Sequence, residues 1–179
     1  MDKDYSHPRI CFGSSGFLVN DGKVLLIKHK KLGIWLAPGG HIDGNELPEK
    51  AAEREFWEET GIKVRAVNAG GNLIAGDATE YKPTPFAINL HWISKRNYKL
   101  RSESDDPSQP NRTKKWSRGC EQHYVFIYLV EPIDGIEFKQ NTEETDGIGW
   151  FSLEEVEELE TVPEIKEEAR QAIELASRI

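Results

Sequence analysis

Three features of the sequence predict an α/β fold of layered strands and helices. The apolar, β-branched runs Phe17-Leu18-Val19 and Val24-Leu25-Leu26-Ile27 flank Asn20-Asp21-Gly22-Lys23, a strong hairpin signal that makes residues 10–29 two strands and a turn. A helix is expected from about Pro48 to Thr60, stopped by Gly61 at the position where a left-handed residue ends helices. Near the far end, Ile165, Ala169, Ala172, Ile173 and Ala176 recur at helical spacing, which predicts an amphipathic helix over about 162–178 packed on the domain.

Between these landmarks, Trp35-Leu36-Ala37 is a short apolar run stopped by Pro38-Gly39-Gly40. If Pro48 opens its helix, Leu47 is the N-cap, a poor residue for that position. Residues 64–75 read as extended chain, and residues 86–93 and 124–130 as strands by their β-branched and aromatic content. Residues 94–120 are polar, contain Pro107 and Pro110, and are too long for a plain hairpin loop; a partly disordered surface insertion is expected. Gly149-Trp150-Phe151 reads as a last short strand, and both Ser152 with Glu155 and Thr161 with Glu164 have capping-box spacing. With no internal repeat and no evident boundary, residues 1–179 read as a single domain.

Composition narrows the function classes. No apolar run approaches the ~18–20 residues of a membrane helix, and the N-terminus shows no secretory signal pattern. Cys11 and Cys120 are too few for a disulfide framework, so a reduced, cytoplasmic setting is expected. A formal net charge of −8 argues against a dedicated nucleic-acid binder. The charge is uneven, however. Lys95, Arg96, Lys99, Arg101, Arg112, Lys114, Lys115 and Arg118 stand against Glu103, Asp105 and Asp106 in the 94–120 segment, whereas the C-terminal stretch is rich in Glu.

The chemistry concentrates on the helix after Gly39-Gly40. Glu55, Glu58 and Glu59 are spaced i, i+3, i+4 and project from one face. Like charges at that spacing repel by a few tenths of a kcal/mol per pair; a divalent cation would neutralise them, and an all-oxygen donor set suits Mg²⁺ or Mn²⁺. Ala51 and Ala52, one turn earlier, let the helix approach its neighbours closely. Trp57 points away and is expected to pack, and Arg54 is placed to pair with a carboxylate and orient it. On spacing alone, a solvated acidic helix explains the cluster equally well.

The flanking residues decide between the two. Gly40-His41-Ile42-Asp43-Gly44-Asn45-Glu46, followed after residues 47–53 by Arg54-Glu55-Phe56-Trp57-Glu58-Glu59-Thr60-Gly61-Ile62, resembles the signature of the Nudix (MutT-like) hydrolases, G-x5-E-x7-R-E-U-x-E-E-x-G-U with U bulky and apolar. Every fixed position matches, although aromatic Phe56 is less usual than an aliphatic residue at its U position. Trp35-Leu36-Ala37-Pro38-Gly39-Gly40 and Trp150-Phe151-Ser152-Leu153-Glu154-Glu155 also resemble the family framework.

The resemblance implies a mixed β-sheet sandwiched between helices and hydrolysis of a nucleoside diphosphate linked to another moiety, by attack of water at phosphorus. By position, Glu55, Glu58 and Glu59 resemble the family's helix metal ligands and the carbonyl of Gly39 its backbone ligand. Arg54 resembles its orienting arginine, and Glu46 its loop-supporting glutamate, with a metal-ligand role the alternative. The general base is either a glutamate of the signature or one from a later loop; in residues 141–146, Glu144 is favoured over Glu143. Both are otherwise ordinary loop acids.

Substrate identity stays open. Tyr81, Pro83 and Pro85 fall where subclass markers lie but match no subclass. His29, Trp35, His91 and Trp92 are candidates to hold a base, against the commoner role of aromatic residues as core. Cys120 and His123 have the spacing of half a metal site, with no second pair in the sequence, and read as chance. A small nucleotide is the expected partner. The rival readings are an RNA 5′-end pyrophosphohydrolase using residues 95–118 and a non-catalytic nucleotide-binding regulator. Oligomeric state is open, a homodimer included.

Overall fold

The computed structural model describes residues 7–68, 75–103 and 111–179. Its first hairpin joins β1 (Ile10–Asn20) to β2 (Lys23–His29) through Asp21 and Gly22, both at positive φ (48° and 73°), as a type I′ turn requires. The strand β3 (Trp35–Leu36) runs antiparallel to β2, and β4 (Gly39–His41) antiparallel to β1. β1 is also parallel to β7 (Gln122–Pro132), in register from Ile10 opposite Gln122 to Leu18 opposite Val130. β5 (Val64–Ala66) and β6 (Ala87–Trp92) pair antiparallel with β7, and β8 (Thr145–Phe151) with β2. The sheet is therefore mixed.

Alternation along the central strands fills two cores. Phe17, Val24, Leu26, Ile127 and Leu129 face one way, against Val156 of α3 (Leu153–Glu158) and Ala169 and Ala172 of α4 (Pro163–Ala176). Leu18, Leu25, Tyr128 and Val130 face the other way, against Ala52 and Phe56 of α1 (Pro48–Thr60). Helices thus cover both faces, the α/β sandwich expected. The approach of α1 depends on Gly16: a Cβ there would meet Val130 at 2.9 Å and the Phe56 ring at 3.2 Å.

Local signals fare unevenly. α1 opens at Leu47 without a side-chain cap and closes on Gly61, at φ 74°. Ser152 and Glu155 form both halves of a capping box. Thr161 does not cap α4: Val162 takes the N-cap position, Pro163 opens the helix, and the Thr161 hydroxyl donates instead to the Trp35 carbonyl. Trp57, expected to pack, is half exposed, because the opposite face of α1 meets water rather than a second layer. The last strand is longer than its apolar run suggested and takes in Thr145 and Asp146.

The 94–120 segment departs most from expectation. Pro107, Pro110, Asp105 and Asp106 lie outside the described residues, as do residues 1–6 and residues 69–74 of the expected extended stretch. The described part is not a loose loop. Lys95–Ser102 forms α2, capped by Ser94, whose hydroxyl accepts from the Asn97 amide at 3.0 Å. Asn97 is buried; its side chain donates to the Trp116 and Cys120 carbonyls at 3.1 and 3.3 Å and accepts from Thr113 N at 2.8 Å. The Arg101 guanidinium grips the Glu121 carboxylate at 2.5 and 2.8 Å and also donates to the His7 carbonyl. Within the described part, polar composition belongs to buried groups whose hydrogen bonds offset their desolvation.

Strand register also revises the cysteines. Cys11 lies on β1 and Cys120 just before the parallel strand β7, which brings their Cα atoms to 5.7 Å, and the two are joined as a disulfide. Counting cysteines predicted a reduced pair. The same register brings Cys120 and His123 together with two residues the sequence did not pair with them: the side chains of Cys11, His41, Cys120 and His123 converge. No helix among the described residues is long and apolar enough to cross a membrane.

Candidate active site

The site grows from the contact between β4 and the acidic face of α1. Gly39 and Gly40 are required there by space. A Cβ on Gly39 would lie 2.6 Å from the Ser14 carbonyl oxygen and from Ser15 Cβ, and one on Gly40 would fall on the Glu55 carboxylate. The helix can therefore bring its carboxylates against the strand backbone. Glu59 is buried and accepts a hydrogen bond from the Gly39 amide at 2.9 Å. Glu55 lies beside it and Glu58 is more open.

Arg54 organises this side of the helix. Its Nε and Nη2 donate to the two oxygens of Glu46 at 2.8 and 2.9 Å, and its Nη1 to Glu55 at 2.8 Å and Glu58 at 3.1 Å. Nη2 also donates to the His41 carbonyl at 3.0 Å, so one guanidinium ties the glycine-rich segment, the loop and the helix together. The planar fork fits these partners simultaneously, which a lysine ammonium would not.

Gly39, Gly40, Arg54, Glu55, Glu58 and Glu59 line an open cleft of roughly 370 Å³ with Glu144, His29, His41, Asp43 and Arg118. Four glutamates thus meet on one surface. Burial holds the Glu59 carboxyl up at about 8, with the charges of Glu55, Glu144 and Glu58 adding to the effect. Glu55 is also raised, again first by burial. Glu46 moves the other way because Arg54 hydrogen-bonds its ionised form. His29 and His41 are both lowered by burial, so both imidazoles favour the neutral form.

Arg54, Glu55, Glu58, Glu59, Glu144, Gly39 and His29 are thereby brought to one place. Glu143 does not join them; its amide donates to the Asn141 side chain at the loop surface. Trp35 stacks edge-on against Phe151 at 4.8 Å and belongs to the periphery of the core. His91 is on β6, hydrogen-bonded to Asn89 and beside His123, and Trp92 contacts Tyr98; none of these three lines the cleft. Asp43, His41 and Arg118 were not singled out from the sequence. Asp43 and His41 occupy variable positions of the signature, and Arg118 was one basic residue among many.

A family model described as "NUDIX domain" matches residues 12–174. A MutT-like protein of Streptomyces ambofaciens is 48% identical over 44 residues, covering 25% of this chain and 29% of its own. The phosphatase NudJ of Escherichia coli K12 is 36% identical over 77 residues, 41% of this chain and 50% of its own, so the match spans half or less of these curated relatives. Among solved structures, a NUDIX-family hydrolase from Clostridium perfringens superposes with a TM-score of 0.65 at 26% identity, covering 92% of this chain and 97% of that one. A MutT NUDIX hydrolase from Burkholderia pseudomallei gives 0.56 at 23%, covering 93% and 98%, a likeness of fold. With the family model matching most of its length and its sheet and helices arranged as in these structures, the chain belongs to the Nudix hydrolase family.

Proposed function

We propose that this chain hydrolyses the pyrophosphate link of a nucleoside diphosphate joined to another moiety, such as a nucleoside triphosphate, a modified nucleotide or a nucleotide sugar, with Mg²⁺ or Mn²⁺ bound at the cleft. The observation that carries this reading is the convergence of Glu55, Glu58, Glu59 and Glu144 on one cleft whose lining holds two guanidinium groups, Arg54 against Glu55 and Glu58, and Arg118. That donor set is short of positive charge, all oxygen, and backed by a glycine whose missing side chain leaves room for the Glu55 carboxylate. It fits a hard divalent cation, held by Glu55, Glu58, Glu59 and the Gly39 carbonyl. Once bound, such a cation withdraws charge from phosphate oxygens and makes water more acidic.

The residues of the chain do the remaining work. Arg54 fixes the rotamers of Glu55 and Glu58 and braces Glu46, which limits reorganisation of the site during reaction. Arg118 and neutral His29 line the same cleft, the first as a counter-charge and the second as a hydrogen-bond partner for a phosphate-bearing substrate. Glu144 enters from the loop side and is the general base in this account: water oxygen bonds to phosphorus, its proton passes to Glu144, and the bridging P–O bond breaks. Glu144 is preferred to Glu143 because it alone of the two faces the carboxylate cluster.

The test is a substrate panel with Mg²⁺ and with Mn²⁺, products identified. The panel holds nucleoside triphosphates, oxidised nucleotides, nucleotide sugars, dinucleoside polyphosphates and 5′-triphosphorylated RNA. Release of a nucleoside phosphate and the complementary phosphorylated product from at least one small nucleotide is expected. Turnover of the RNA alone would move the reading to RNA ends, and no turnover of any substrate would make the chain a nucleotide binder.

A further inference from the structure

Beside the cleft, and sharing His41 with its lining, a second cluster of potential metal ligands is assembled by the sheet. Cys11 of β1 and His123 of β7 are direct partners across the parallel pair. His41, the last residue of β4, lies opposite Gly13, two residues along β1 and on the same face as Cys11. Gly119, at φ 82°, turns the chain so that Cys120 enters from the end of the 94–120 segment. The ligand atoms of all four side chains lie within 4.8 Å of one another. His41 Nε2 is 3.3 Å from Cys120 Sγ, and the two imidazole centroids are 4.8 Å apart.

A second observation points to a ligand. His123 Nε2 is buried and has no hydrogen-bond partner among the described residues. A buried polar atom of this kind is costly unless something satisfies it, and the neighbours gathered around this imidazole are the sulfurs of Cys11 and Cys120 and the imidazoles of His41 and His91. Around a four-coordinate Zn²⁺, metal–sulfur distances of about 2.3 Å and metal–nitrogen distances of about 2.0–2.1 Å place neighbouring donor atoms roughly 3.3–3.8 Å apart. The His41–Cys120 separation already matches, and the rest of the cluster needs only side-chain adjustment once the sulfurs part.

We propose that Cys11, His41, Cys120 and His123 form a Cys₂His₂ zinc site in the reduced protein. The Cys11–Cys120 disulfide is the oxidised alternative of the same pair. A dithiol reductant gives two electrons and two protons to the S–S bond, leaving two thiols and its own disulfide. Both thiols then lose their protons as the two Zn–S bonds form. Four protein donors complete a tetrahedron and leave no position for water, so the site is structural. It adds a cross-link to the pairing of β1 with β4 and with β7, and fixes the base of the 94–120 segment to both. This inference does not depend on the reading of the cleft, because its donors are sulfur and nitrogen while those of the cleft are oxygen.

The experiment is Co²⁺ and Zn²⁺ binding to the full chain kept under a thiol reductant, with excess Mg²⁺ present to occupy the carboxylates. One equivalent of Co²⁺ should give the intense visible bands and sulfur charge transfer of a tetrahedral thiolate site, and Zn²⁺ should displace it. Bound Zn²⁺ should also shield both cysteines from alkylation until a chelator is added. Cys11→Ser/Cys120→Ser should lose this equivalent, and Glu55→Gln/Glu58→Gln/Glu59→Gln should keep it. If the reduced wild-type chain shows only weak octahedral Co²⁺ bands, or no protection of its thiols, the pair is a disulfide only and the zinc site does not exist. Because that reading uses wild-type protein, it holds even where the cysteine variant fails to fold.

Discussion

Two clusters of metal-ligand type flank the strand β4, and their differences are instructive. At Gly39 and Gly40 the strand faces carboxylates from α1, a donor set of hard oxygens in an open cleft. At the next residue, His41, it meets sulfur and imidazole. The first offers room for a substrate and retains an excess of negative charge, whereas the second, as the proposed zinc site, would commit all four of its donors to one ion. A site poised for catalysis stays electrostatically unsatisfied in the protein alone; a site built for stability closes its coordination with protein atoms. Disturbing the cysteine side should therefore cost stability, and disturbing the carboxylate side should cost turnover.

The largest expected effect on the structural side comes from Arg101→Met. It leaves the Glu121 carboxylate buried beside Cys120 without its guanidinium, and should cost about 3–5 kcal/mol of stability. Denaturant unfolding measures the loss, and turnover well below the melting temperature should be little changed. An unaltered midpoint would mean that the ion pair is dispensable. On the catalytic side, Gly40→Ala forces the Glu55 carboxylate from its place. A displacement on the order of 1 Å should lower kcat by ~10²-fold, with a melting temperature close to wild type. Equal activity would show that Glu55 tolerates another position.

Arg54→Lys retains the charge but loses the fork that spans Glu46, Glu55 and Glu58. Loss of such a supporting partner should weaken metal affinity or activity by roughly 10–100-fold, read from the Mg²⁺ dependence of the rate. A change in kcat with unaltered Mg²⁺ dependence would instead place Arg54 on the substrate.

The smallest effect is one of pH. Glu59 is held up near 8 in the metal-free fold against about 4.5 in the unfolded chain, so between those values the native state binds more protons. Stability of the metal-free protein should fall as pH rises through this window, by a few degrees in Tm, and Mg²⁺ should stabilise more at pH 8 than at pH 6. Glu168 on α4, raised by burial to about 7, shifts stability in the same direction, but Mg²⁺ would not relieve it. A Mg²⁺ effect on Tm independent of pH would contradict the assignment to Glu59.

The sequence exposed the two regions unequally. The carboxylate cleft was legible because its donors lie within one helix, where i, i+3, i+4 spacing fixes their common face, and because the glycine strand precedes it closely. His29 and Glu144 needed strand pairing to place them, and sequence pattern alone could not separate Trp35 and His91 in apolar strands from residues of a cleft. The cysteine–histidine cluster was out of reach: Cys11 and Cys120 are 109 residues apart and meet only through the β1–β7 register. The 94–120 segment misled for a related reason. Its described part is anchored by buried Asn97 and by Arg101 on Glu121 just beyond it, and hydropathy does not distinguish a satisfied buried polar network from a solvated loop. Trp57 failed in the opposite sense, since an apolar side chain on a helix carries no label saying whether another layer covers it.

The most direct test sets one variant from each side of β4 against the wild type on a common nucleotide substrate. At saturating Mg²⁺, kcat of Glu59→Gln should fall by orders of magnitude with little loss of folding stability, while Cys11→Ser/Cys120→Ser keeps kcat near wild type below its lowered melting temperature. Near-normal kcat in Glu59→Gln would contradict the account, because the buried carboxylate at the centre of the cleft would then have no part in the reaction.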